Sequence, residues 1–268
     1  SITFKINIMI TPDDKKQLAE KGISEAQITE QLSCFQKGFP YLKLEATAST
    51  QKGILALTAD EQQRYLSAWY DYTQTGKRIM KFVPASGAAS RMFKDLFEFL
   101  EVDYDVPATK FEQTFFTSIN NFAFYEDLNE ACVSIEGKDI ASLIAEGKYK
   151  AIVSALLDVS GLNYGFLPKG LLKFHKYENR TRTSVEEHLV EGALYATGKT
   201  KEVNIHFTVS AEHYELFKTL IAEKTADYTK RYGVDYDISF SKQKSSTDTI
   251  AAGADNTPFR DNDRLVFR

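Results

Sequence analysis

Between Phe82 and Met92 the sequence reads Phe-Val-Pro-Ala-Ser-Gly-Ala-Ala-Ser-Arg-Met. A strand that runs into small residues and then into a helix start lets the backbone approach a ligand closely. The free N–H groups of a helix start attract anions. Arg91 adds a planar, always-charged donor suited to phosphate oxygens. The chemistry would be phosphate binding, with Ser86, Gly87, Ala88, Ala89 and Ser90 as a cradle and Arg91 supplying charge. A plain tight strand-to-helix turn, with Arg91 reaching solvent, explains the same residues. A second stretch, Gly165-Phe-Leu-Pro-Lys-Gly-Leu-Leu-Lys-Phe174, places a proline directly before Lys169. That proline fixes the backbone from which the ammonium projects. Alone it reads as a surface lysine; beside the first stretch it reads as a second cation for one phosphate site.

Other groups carry weaker signals. His206, and His213 beside Glu212, flank the expected strand-end crevice and could be acid–base groups or ordinary helix-start polar residues. His175 sits between Lys173 and Lys176 in what reads as a solvated charged strand. Arg180 and Arg182 could bind a sugar phosphate or lie in an exposed loop. Glu186-Glu187-His188 does not read as a metal site, because adjacent helix positions do not share a face, and capping accounts for Glu187.

These residues need elements to hold them. Ile79–Val83, Val203–Val209 and Tyr236–Ser241 read as strands, with helices beginning near Ser90 and spanning Ala211 to Arg231. Strands alternating with helices through short joints imply parallel pairing and right-handed crossovers. Ser184 and Glu187 open a further helix that ends near Gly198. The N-terminal part reads as helices, with caps at Thr11, at Ser24 (with Gln27) and at Thr58 (with Glu61). Thr109 to Asp158 is helical again, with Phe111, Phe115, Ile119 and Phe122 as one apolar stripe of core. Arg264 to Arg268 reads as the opening of a strand.

The 268 residues carry 33 Lys+Arg against 37 Asp+Glu, a net charge of −4, which gives no footprint for nucleic acid or an anionic membrane. Nineteen Phe and 14 Tyr rule out disorder. Cys34 and Cys132 share no motif with histidine and suit a reducing, cytoplasmic setting. Ser1 to Ile10 lacks the layout of a secretion signal, and Met9 could be an alternative start. No apolar run approaches a membrane span.

Ala85-Ser-Gly-Ala-Ala-Ser-Arg-Met92 resembles the nucleotide-binding loop of sugar nucleotidyltransferases, of form A-G-G-x-G-T-R-L/M. Leu167-Pro-Lys-Gly-Leu-Leu172 resembles the L-P-K-x-L-L element that accompanies it. Ile238-Ser-Phe-Ser-Lys-Gln243 is similar to the strand of the UDP-sugar pyrophosphorylase branch whose glutamine reads uracil. Taken whole, Met9 to Arg268 is similar to a bacterial family of unassigned activity, the domain of unknown function 4301, through Leu167–His175, Glu186–Leu189 and Ser245–Ala251.

The nucleotidyltransferase resemblance implies a three-layer, Rossmann-like α/β domain of nucleotide-diphospho-sugar transferase type at 78–268. A helical cap would occupy 1–77 and a helical insertion about 97–163. It implies transfer of a nucleotidyl group, UTP favoured, to a sugar-1-phosphate with release of pyrophosphate. Arg91 and Lys169 would be catalytic, Ser86 to Ser90 would hold the nucleotide, and Gln243 would hold the base. It also implies Mg²⁺, with ligands beyond Arg268 in a longer protein; Asp248, Asp255, Asp261 and Asp263 are too early and turn-like to be assigned. Ser86 and Ala89 stand where the transferase loop prefers glycine, so a positive φ there would be strained. Two readings remain beside this one. One is a nucleotide or nucleotide-sugar binding module without catalysis. The other is a glycosyltransferase using Asp103-Tyr104-Asp105 or Asp235-Tyr236-Asp237.

Overall fold

A computed structural model describes residues 10–268, so the reading of the first nine residues, Met9 included, lies outside it. The chain forms two compact units: residues up to Gln62 with Gln243–Arg268, and Gln63–Lys242. The expected boundary stood at 77/78.

In the first unit, α1 (Pro12–Lys21) begins at a reciprocal cap between Thr11 and Asp14 and ends at Gly22, whose φ of 72° only glycine adopts without cost. The same reciprocity between Ser24 and Gln27 opens α2 (Glu25–Lys37). Leu18, Ile28 and Leu32 bury against Ile250 and Leu265 from the C-terminal segment. That segment forms a hairpin of Arg260–Asp261 with Arg264–Leu265, and Thr249 and Arg268 pair through both backbone bonds. The strand expected at the chain's end is present but short.

Helix α3 (Ala59–Thr73) follows the Thr58–Glu61 cap, and most of its length, from Gln63 on, belongs to the second unit. Its Tyr65, Leu66 and Trp69 remain largely exposed, although the Trp69 indole donates to the Tyr195 carbonyl. Strand β1 (Met80–Pro84) leads through the small-residue loop into a 3₁₀ turn, Ser90–Phe93. An all-helical body follows: α4 (Lys94–Glu101), α5 (Lys110–Thr117), α6 (Tyr125–Glu136), α7 (Ile140–Ala145) and α8 (Tyr149–Leu157). Phe99, Leu128, Leu143, Ile152 and Leu156 form its own sealed core. The expected single stripe is broken, because α5 stops at Thr117 and Ile119 lies in a 3₁₀ turn; Phe111 is half-exposed.

The chain then makes a hairpin of β2 (Lys173–Tyr177) and β3 (Arg180–Thr183), followed by α9 (Ser184–Tyr195), β4 (Glu202–Val209), α10 (Tyr214–Tyr232) and β5 (Asp235–Lys242). Thr183 and Glu186, not Ser184 and Glu187, make the cap of α9. The run Thr-Ser-Val-Glu-Glu offers both frames, and the structure uses the earlier one.

The three strands expected to be parallel form one sheet in the order β1-β4-β5, every pair parallel. Period-two alternation divides it into two faces. Val83, Ile205, Phe207 and Val209 pack with Leu189, Phe217 and Ile221 of α9 and α10. The opposite face carries Phe82, His206 and Ser239 in one row, and Pro84, Thr208 and Ser241 in the next. Both His206 ring nitrogens lie 2.9 Å from serine hydroxyls, of Ser239 and Ser241, and Thr208 Oγ1 lies 2.9 Å from Ser241 Oγ. Among the described residues no helix is long and apolar enough to cross a membrane.

Candidate phosphate site

The loop after β1 is fixed from both sides. The Ala85 amide donates to the Thr208 carbonyl at 2.7 Å, tying the loop to β4. Ala88 bridges antiparallel to Pro168, with the Ala89 amide donating to Leu167 O at 3.3 Å and the Lys169 amide to Gly87 O at 2.9 Å. The two stretches, 80 residues apart (168 − 88) in sequence, therefore meet as a miniature backbone ladder. They meet at the carboxyl ends of β1, β4 and β5, where open α/β sheets take ligands.

Small residues make this possible. Ala85 and Ala89 are buried, so larger side chains would collide with the sheet and the helical body. A Cβ on Gly170 would stand 2.8 Å from the ring of Phe217, which is fully buried in α10. Gly170→Ala should therefore destabilise the unit by about 1–3 kcal/mol through overpacking, read by denaturant titration, and displace Lys169 with it. Gly87 differs: a Cβ there meets nothing within 4 Å and its φ is not left-handed. Ser86 and Ala89 also avoid positive φ, so replacing glycine there brings no backbone strain.

The loop leaves donors unused. Among the described residues, the amides of Ser86, Gly87, Ala88, Ser90 and Arg91 have no backbone acceptor. Arg91 and Lys169 are exposed, and neither has a carboxylate within 4 Å among the described residues. Free amides with two uncompensated cations nearby suit the oxygens of a phosphate group. The helix expected near Ser90 starts as the 3₁₀ turn Ser90–Phe93, and the α-helix itself begins at Lys94.

Gln243 is exposed and directly follows β5, as the first residue assigned to the other compact unit. His213 bonds Ser210 at 2.7 Å just beyond β4. Asp235 opens β5 and so sits at the amino end of the sheet, while the loop lies at the carboxyl end; Asp237 pairs with Arg78 at 2.6 Å. Asp105 pairs with Lys150. Among the described residues no three His, Cys, Asp or Glu side chains group to hold a metal.

One polar cluster escaped sequence reading. Glu187 accepts from the Tyr177 hydroxyl at 2.7 Å and from Arg182 Nη1 at 3.2 Å, and pairs with His175 at 3.0 Å. Burial opposes its charge, but the bonds from Tyr177 and His175 and the charge of Arg182 hold its carboxyl below the ordinary range. Glu186 serves the cap and His188 pairs with Glu191, so the three adjacent side chains go to three different places. The hairpin turn at Glu178-Asn179 was the available signal, since it brings His175, Tyr177 and Arg182 onto neighbouring strands before α9.

A parallel α/β unit with a small-residue cradle at the carboxyl ends of its strands is the class that fold and site define. The chain belongs to the family described as Domain of unknown function (DUF4301), whose profile matches residues 11–268. Comparison with curated proteins and with solved structures finds no match.

Proposed function

We propose that this chain binds a nucleoside triphosphate at the Ser86–Arg91 loop and serves nucleotidyl transfer to a sugar-1-phosphate. The pairing of Ala88 with Pro168, which brings Lys169 to the loop, carries this reading. In such a reaction a phosphate oxygen of the acceptor attacks the α-phosphorus, the α–β bridging bond breaks, and pyrophosphate leaves. The protein's share is positioning and charge neutralisation. Unpaired amides of Ser86, Gly87 and Ala88 would hold phosphate oxygens. Arg91 would face the departing pyrophosphate, and Lys169 the α-phosphate and acceptor. Magnesium would neutralise phosphate charge in such chemistry, but the described residues offer no ligand set for it, and no step here depends on it.

Thermal shift and calorimetry with UTP test the reading. Millimolar UTP should raise the melting temperature, since a ligand selective for the folded state adds RT ln(1 + [L]/Kd). Arg91→Ala and Lys169→Ala should each weaken UTP at least about tenfold, as expected for lost charge-assisted bonds. Gly87→Ala should leave the unliganded melting temperature unchanged and weaken UTP, because its Cβ would intrude only on the ligand's approach. No response to any nucleotide would reject the reading. Binding without pyrophosphate release would reduce it to a non-catalytic nucleotide module.

A further inference from the structure

Of the two arginines of β3, Arg182 is committed to Glu187, whereas Arg180 faces a cleft of about 580 Å³ between the β2–β3 hairpin and α10. Lys224, Asp227 and Arg231 recur there at three- and four-residue spacing on one face of α10, and Lys230 joins them at the rim. The cleft thus gathers four cations, Arg180, Lys224, Lys230 and Arg231, against two acids, Glu186 and Asp227.

Glu186 is already engaged. It accepts from the Thr183 amide at 2.8 Å, the Thr183 hydroxyl at 3.1 Å and the Tyr228 hydroxyl at 3.2 Å, and Lys224 stands 3.8 Å away. Among the described residues Arg180, Lys230 and Arg231 have no carboxylate within 4 Å. In a chain of net charge −4, unneutralised cations converging on one concavity are not the background pattern. Their mutual repulsion persists unless an anion enters.

We propose that this cleft is a second anion site, for a small molecule bearing a phosphate or diphosphate group. It shares no lining residue with the Ser86–Arg91 loop or Lys169. Its volume falls in the range of small-molecule sites. The acidic chain as a whole disfavours a long polyanion or an anionic membrane. A guanidinium's planar fork suits phosphate oxygens, which Arg180 and Arg231 would supply, and the lysines add point charge.

The test is calorimetric titration of the 268-residue chain with inorganic pyrophosphate. Two doubly substituted variants accompany it, Arg180→Ala/Arg231→Ala at the cleft and Arg91→Ala/Lys169→Ala at the loop. The cleft variant should lose one class of pyrophosphate site, at least tenfold in affinity, while its UTP response persists. The loop variant should retain that class. The cleft affinity should fall as salt rises. Lys230→Glu, a substitution at an exposed position, should weaken the same class and provides a second variant if the double one unfolds. Unchanged titration in both cleft variants would overturn the proposal. So would loss of all pyrophosphate binding in the loop variant, or binding to phosphatidic acid vesicles without binding to free pyrophosphate. A missing UTP response with cleft binding intact would reject the nucleotide reading alone.

Discussion

Phe207→Ala is expected to lower the unfolding free energy of the sheet-bearing unit by about 3–5 kcal/mol. Phe207 is fully buried on the central strand β4. Its ring stacks on Phe240 at 6.0 Å and meets the His188 ring edgewise at 6.4 Å. Truncation removes those contacts and leaves a cavity that strands fixed on both sides cannot close. The loss approaches the whole stability of an ordinary domain, about 5–15 kcal/mol, so much of the protein should unfold well below the wild-type temperature. Phe82 gives the control. It lies on the opposite face, 64% exposed, and Phe82→Ala should cost well under half as much. Equal losses in urea titrations of the two variants would show that the faces of the sheet are wrongly assigned.

The second large effect lies in the other unit. Arg260 grips both carboxylate oxygens of Asp14 at 2.7 Å, and Asp14 is 2% exposed. The Arg260 hydrogen bonds outweigh burial and, with those from Thr11, hold the Asp14 carboxyl at about 2, below the ordinary 3.8. A carboxyl depressed by folding stabilises the protein above its unfolded value. That contribution is complete above about pH 5 and is lost as pH falls through 4 towards 2. The gap corresponds to roughly 2–3 kcal/mol. Asp14→Asn should flatten the acid dependence of amide exchange protection in α1 over that range. Arg260→Ala should cost about 3–5 kcal/mol at neutral pH, because it strands a buried charge. The double replacement Asp14→Ala/Arg260→Ala should cost less than Arg260→Ala alone, and the reverse order would refute the pairing.

Sequence pattern carried the sheet well. Strand-length apolar segments, helices between them and short joints leave parallel pairing as the economical topology, and β1, β4 and β5 adopt it. Local capping chemistry was equally legible at Thr11, Ser24 and Thr58, because a cap is decided within four residues. At α9 the same local rule gave two frames and could not choose. Packing chose: Glu186 turns inward to Tyr228, while Glu187 turns to the hairpin. The Asp14–Arg260 pair was beyond reach, since neither residue's neighbours encode a partner 246 positions away. Of the candidate site, the meeting of loop and Lys169 was anticipated through resemblance rather than from spacing. The cleft at Arg180 was only half visible, because its other wall is a helix face that nothing in the hairpin announces.

The Ala88–Pro168 bridge leads to an expected order of folding events. Closing a flexible loop costs about (3/2)RT ln n, so joining these residues across a disordered segment is a slow, entropically opposed step. The intervening helices α4 to α8 bury a core of their own. Once that body has condensed, the distance to be closed is no longer the contour of the chain but the span across a compact helical plug. The cradle's amides then come into register as a consequence of a structure that contributes no proposed ligand-binding residue. In a refolding chain, helical content would return first and affinity for phosphate last.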